Sequence, residues 1–155
     1  MILRKKIQSI KAEASQSELQ VLLSNLKLDI DKRNTAARHL AELGSFAVNP
    51  LFAMLCDAET IQSERATSTE IRKAIVRALS RMNDPSAIEL MIQALQTRND
   101  WVVWGAARAL GIIGNRNAIE PLEETLMRYN HVEKHHSRLT FVRVAIKWAL
   151  DQLKG

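Results

Sequence analysis

The chain has 155 residues, 46% of them hydrophobic and 25% charged, with 22 Lys and Arg against 17 Asp and Glu for a formal net charge of +5. That length and balance suit one soluble domain; 5 Gly and 3 Pro are too few for a loop-rich or all-β chain, and the dominance of Ala, Leu, Ile, Arg and Glu favours helix. No uncharged apolar run approaches the roughly 18 residues of a membrane span, the N-terminus lacks the apolar core of a secretory leader, and Cys56 as the only cysteine excludes an intrachain disulfide, so the expected location is cytoplasmic.

The predicted elements begin with a helix from about Leu3 to Ala14 that places Leu3, Ile7 and Ile10 on one face. A second starts near Ser17, a suitable N-cap, and carries Leu19, Leu22, Leu23 and Leu26 at helical spacing. Residues 1–28 therefore read as capping helices of a single domain spanning 1–155. From residue 29 the chain repeats itself. The first copy, residues 29–56, contains Thr35-Ala36-Ala37-Arg38-His39-Leu40, then Gly44 and Pro50-Leu51. After a polar connection rich in Glu, Thr and Ser comes the second copy, residues 68–96, with Arg77-Ala78-Leu79, Met82, Ala87-Ile88-Glu89 and Leu95. The third copy, residues 100–127, matches the second without a gap thirty-one residues on, at Arg108-Ala109-Leu110, Ile113, Ala118-Ile119-Glu120 and Leu126. A half copy, residues 140–155, ends with Arg143-Val144-Ala145-Ile146-Lys147-Trp148-Ala149-Leu150 and has no second helix. Fixed-period self-similarity of this kind marks a repeat architecture.

Each copy reads as a helix A, a turn and a helix B. In the third copy Val102, Ala106, Ala109, Leu110 and Ile113 share one face of helix A, and Ile119, Leu122 and Leu126 form the facing stripe of helix B. Gly114 suits the left-handed end of helix A, and Pro121, like Pro50 in the first copy, suits the first turn of helix B. Neither helix buries its stripe alone; stacked neighbours do, so the expected fold is all-α, a short right-handed α-solenoid of helical hairpins.

Val102-Val103 to Gly114, followed by Ala118 to Leu122, resembles the short HEAT repeat of the phycobilisome-lyase type. Val103 stands where that pattern has Arg; Arg33, Arg72 and Arg143 supply it in the other copies. The resemblance covers about residues 30–155 and implies a HEAT-like solenoid. It implies several functions: a protein-binding module or assembly scaffold, a bilin-lyase-like or phycobilisome assembly or degradation subunit, or, as in related solenoids, nucleic-acid binding. Fold-level likeness does not choose among them.

The residues narrow the choice. Gly-rich phosphate loop, nucleophile elbow and His-Glu-x-x-His are all missing, so no catalytic residue, cofactor or metal is assigned, and the chain reads as a non-enzyme. His131, Glu133, His135 and His136 lack zinc-ligand spacing and read as a solvated loop. His39 stands where Ala78 and Ala109 stand and reads as a partly buried packing residue; Cys56 ends an apolar helix and reads as core. The recurrent Arg33, Arg72 and Arg143 read as structural bonds to neighbouring turns. Trp101, Trp104 and Trp148 are candidate partner contacts, because exposed tryptophan is enriched at binding hot spots. The B helices carry Glu89, Gln93, Glu120, Glu123 and Glu124, an acidic concave face suited to a basic protein partner. The cations Arg38, Lys73, Arg77, Arg81, Arg108 and Lys147 lie on A helices, toward the convex side, so a concave nucleic-acid cradle is disfavoured. The truncated last repeat leaves an apolar end, which suggests self-association through the C-terminal helix.

Overall fold

The computed structural model describes residues 2–56, 65–131 and 139–155. Within them lie eight helices: α1 (Ile2–Asn25), α2 (Ile30–Glu42), α3 (Ser45–Cys56), α4 (Arg65–Ser80), α5 (Pro85–Ala94), α6 (Asp100–Ile113), α7 (Ile119–His131, entered through a 3₁₀ turn at Arg116–Ala118) and α8 (Thr140–Lys154). There is no strand among the described residues. The A helices α2, α4, α6 and α8 pack side by side in chain order, with α1 laid on α2. The B helices α3 and α5 pack on each other beneath them, and α7 packs on α8. The result is an all-α repeat solenoid. One continuous apolar core runs through it, from Leu19 and Leu26 on α1 through Leu40, Leu55, Leu79, Met91, Leu110 and Leu122 to Ile146 on α8.

The middle helix shows why these residues give this stack. The predicted stripe of α6 is buried, with Ile113 partly so, but Val103, Gly105, Ala107 and Gly111 are buried too. A helix buried nearly all round is what results when a neighbour stands on each side. The glycines are where those neighbours come closest. A Cβ at Gly105 would lie 2.5 Å from Leu55 Cδ1 of α3, and one at Gly111 would lie 2.7 Å from Trp148 Cζ3 and 2.9 Å from Ala149 Cα of α8.

The helix ends are set by short polar side chains. Asn99 caps α6, its side chain accepting from Trp101 N at 3.0 Å and Val102 N at 3.2 Å. Gly114 ends it with φ +77°, as expected. Asp29 caps α2 through Lys32 N at 3.0 Å. Asp84 caps α5, accepting from Ser86 N at 3.1 Å, and its second oxygen accepts from Ser45 N at 3.2 Å. One carboxylate thus joins the helix-B start of the second copy to that of the first. At the other end Arg128 donates to Leu95 O, Gln96 Oε1 and Thr97 O, clamping the link into α6. Tyr129 beside it donates its hydroxyl to Asp100 Oδ1 at 2.8 Å.

Four sequence expectations are corrected. The N-terminal segment is one helix, not two: no Gly or Pro stands between the two apolar stripes, so nothing stops the first helix and Ser17 lies inside it. Pro50 is in the interior of α3, because that helix starts at Ser45, earlier than the proline implied. His39 is exposed, not packed. The corresponding Ala109 lies one turn from Gly105, whose neighbours are Leu55 and Phe52 of α3; the helix before α2 is the single α1. Finally, α8 does not present an apolar end. Its outward residues are Thr140, Val144, Lys147, Asp151, Gln152 and Lys154, polar apart from Val144. Ile7 and Ile10 have side chains outside the described residues, as do Glu133, His135 and His136.

Candidate functional site

On the A-helix face a cleft of about 470 Å³ crosses three successive repeats. Its floor is aromatic and its rim is cationic. The ring of Trp101 on α6 stacks on Phe141 of α8 with centroids 4.6 Å apart and planes tilted by 35°. Trp104, one turn further along α6, meets Trp101 edge-on at 5.8 Å and 80°. Val144 on α8 completes the apolar wall and is 60% exposed. From α4, Thr69, Arg72 and Lys73 close the opposite side, and Arg108 stands on the α6 rim.

The cations are held differently. The Arg72 guanidinium lies 3.7 Å from the Trp101 ring centroid, so that indole is in contact with both Arg72 and Phe141. Arg72 is 9% exposed, its Nε has no hydrogen-bond partner among the described residues, and burial pushes its pKa down from the ordinary value. Even so, a guanidinium stays charged. Arg108 lies 3.9 Å over the ring of Trp148. Lys73 is paired with Glu70 at 2.9 Å, and that pairing lowers the Glu70 pKa. Both partners are exposed, which makes the pair easy to exchange.

A family profile for HEAT repeats matches residues 60–137, half of the chain. The protein belongs to the HEAT-repeat family. No curated protein matches it closely enough to be named as a relative.

The HEAT-repeat register explains how the cleft is assembled. Aligning Arg143 of α8 with Val103 of α6 puts Phe141 in the place of Trp101, Val144 in the place of Trp104 and Trp148 in the place of Arg108. Residues at one register of successive A helices are neighbours in a solenoid. The Trp101–Phe141 stack and the Arg108–Trp148 contact follow from that rule. Phe141 and Val144 are the cleft residues that reading the sequence missed, and this alignment was the signal that could have found them.

Of the sequence candidates, Trp101 and Trp104 are brought together in the cleft, while Trp148 packs beside it beneath Arg108. Arg33 makes the expected structural bonds, Nε to Leu26 O at 3.0 Å and an NH₂ to Leu28 O at 2.7 Å. Arg72, its counterpart, turns to Trp101 instead. The acidic candidates lie on the B helices, away from the tryptophans. Glu89, Gln93, Glu120 and Glu124 are exposed, and Glu89 accepts from Gln93 Nε2 at 3.3 Å. Glu123 is half-exposed and already paired with Lys154 of α8. Cys56 is half-buried, donates to Phe52 O, and burial pushes its thiol pKa up, the opposite of a reactive thiolate.

Proposed function

We propose that this HEAT-repeat protein is a non-catalytic protein-binding module or assembly scaffold, and that a partner docks an apolar side chain in the α4–α6–α8 cleft. The observation that supports it is that the partly buried rings of Trp101, Trp104 and Phe141 line the cleft beside exposed Val144 within a cationic rim. Aromatic and arginine side chains around a concave apolar surface are the composition of a binding hot spot. The test is selection of displayed peptides on the folded protein, followed by titration of the selected peptides against Trp104→Ala and Glu123→Lys. Loss of binding in Trp104→Ala with retention in Glu123→Lys is the expected result; the reverse would move the contact to the acidic B-helix face of Glu89, Gln93, Glu120, Glu123 and Glu124.

A second reading is a bilin-lyase-like or phycobilisome-handling subunit. It rests on the likeness of Val102–Gly114 and Ala118–Leu122 to repeats of that type. Visible absorbance after co-expression with a phycobiliprotein and a bilin supports it, and a colourless product removes it.

A further inference from the structure

We infer that the occupant of the cleft is an acidic segment of a partner protein, with an apolar anchor seated against Trp104, Phe141 and Val144 and its flanking carboxylates running across α4 into an arginine groove on the other side. This rests on the docking reading above and deepens it.

The second half of that path is a separate hollow of about 610 Å³ between α2 and α4, lined by Asn34, Thr35, Arg38, Arg77 and Arg81. Arg38 and Arg81 are exposed there, and neither is in an ion pair with a described residue. Arg77 donates to Asn34 Oδ1 at 2.7 Å, a neutral acceptor, and is in no ion pair with a described residue. The two hollows are not independent. Lys73, Arg77 and Arg81 recur every four residues, so they form one stripe about 12 Å long that runs along α4 to the turn just past its end. Lys73 lines the cleft and the other two line the groove. An extended chain covers that stripe in about four residues. Among the described residues the carboxylate ion-paired with a cation of this stripe is that of Glu70, which holds Lys73 and feels Arg77 and Arg33 more weakly. It is on the surface, and an incoming carboxylate exchanges for it at little cost.

The same geometry argues against single-stranded nucleic acid, which the cations alone would also suit. Base stacking needs a free ring face. The Trp101 ring is already engaged by Arg72 at 3.7 Å and by Phe141 at 4.6 Å. An aliphatic or aromatic anchor needs only the apolar wall, which Val144 and Trp104 supply.

The test uses labelled synthetic peptides carrying a central Leu, Ile, Phe or Trp flanked on one side by four Glu, four Gln or four Lys, titrated by fluorescence anisotropy, with a dT oligonucleotide as competitor. The best Glu peptide is expected to bind about tenfold tighter than its Gln counterpart, the yield of a few exposed charge pairs. High salt should abolish that advantage. The double variant Arg38→Gln/Arg81→Gln, which touches no cleft residue, should weaken the Glu peptide to the Gln level and leave the Gln peptide unchanged. Val144→Asp, at an exposed position that folding tolerates, should weaken both. Equal affinity for Glu and Gln peptides, with both weakened by Val144→Asp, would overturn the acidic occupant and leave the docking cleft standing. Absence of binding, or binding indifferent to Val144→Asp, would overturn both. Tighter binding of the Lys peptide, or displacement of the Glu peptide by sub-stoichiometric oligonucleotide, would overturn the inference in favour of another partner class.

Discussion

Gly111 and Gly105 are both helical and both buried, yet they answer substitution differently. A methyl at Gly111 meets the backbone of Ala149 at 2.9 Å as well as the Trp148 ring, whereas at Gly105 the near atom is the end of the flexible Leu55 side chain. Gly111→Ala is expected to lower stability by about 1–3 kcal/mol in urea unfolding, the usual range for overpacking, and Gly105→Ala by less. Equal losses would mean that α6 and α8 do not cross as closely as described. Tyr129 gives a residue-scale pH prediction. Its burial and its hydrogen bond to Asp100 raise the phenol pKa above the ordinary value of 10.0. The folded state then holds the proton after the unfolded chain has lost it, so this contribution is complete below about pH 10 and is lost as pH rises further. The difference in stability between wild type and Tyr129→Phe should be flat up to that point and shrink above it in pH-dependent melts. None of the three was legible in the sequence as special: a glycine's need for space and a tyrosine's partner depend on residues that lie 29 to 50 positions away along the chain.

Among the elements, those with strong periodicity were legible and those defined by their ends were less so. The stripes of α6 and of the B helix α7 emerge from spacing alone, because burial on one face has a helical period. The single long α1 did not, since a serine that can cap a helix can equally sit inside one. The caps separate local from non-local information. Asn99 acts only on its own helix, and Asn99→Ala should cost about 1 kcal/mol. Asp84 caps α5 and also accepts from Ser45 N at the start of α3. Asp84→Ala should therefore cost more than Asn99→Ala in the same denaturation assay, and Asp84→Asn should recover part of the loss. If the two alanine variants are equally stable, the bond to Ser45 contributes nothing. That bond spans 39 positions, which no local pattern reveals.

The whole molecule is closed by its last helix. α8 buries Val142, Ala145, Ile146, Ala149, Leu150 and Leu153 against α6 and α7. A protein ending at residue 139 should expose that apolar seat, lose its cooperative melt and bind a hydrophobic dye; a sharp transition like that of the full chain would show α8 to be dispensable. The solenoid as such was legible, since a repeat in sequence is a repeat in structure. The cleft was legible only by half: Trp101 and Trp104 stood out by type, but Phe141 and Val144 arrive from α8, the next A helix. The acidic B-helix candidates illustrate the converse, because composition showed their charge but not that Glu123 is engaged by Lys154. One further consequence attaches to the Arg72–Trp101–Phe141 cluster, whose three members sit on three consecutive A helices. Its spacing is fixed only if those helices keep their mutual angles. A guest wedged beside it, as proposed, would brace the curvature of the superhelix, and by thermodynamic reciprocity any load that bends the superhelix would alter the grip on the guest.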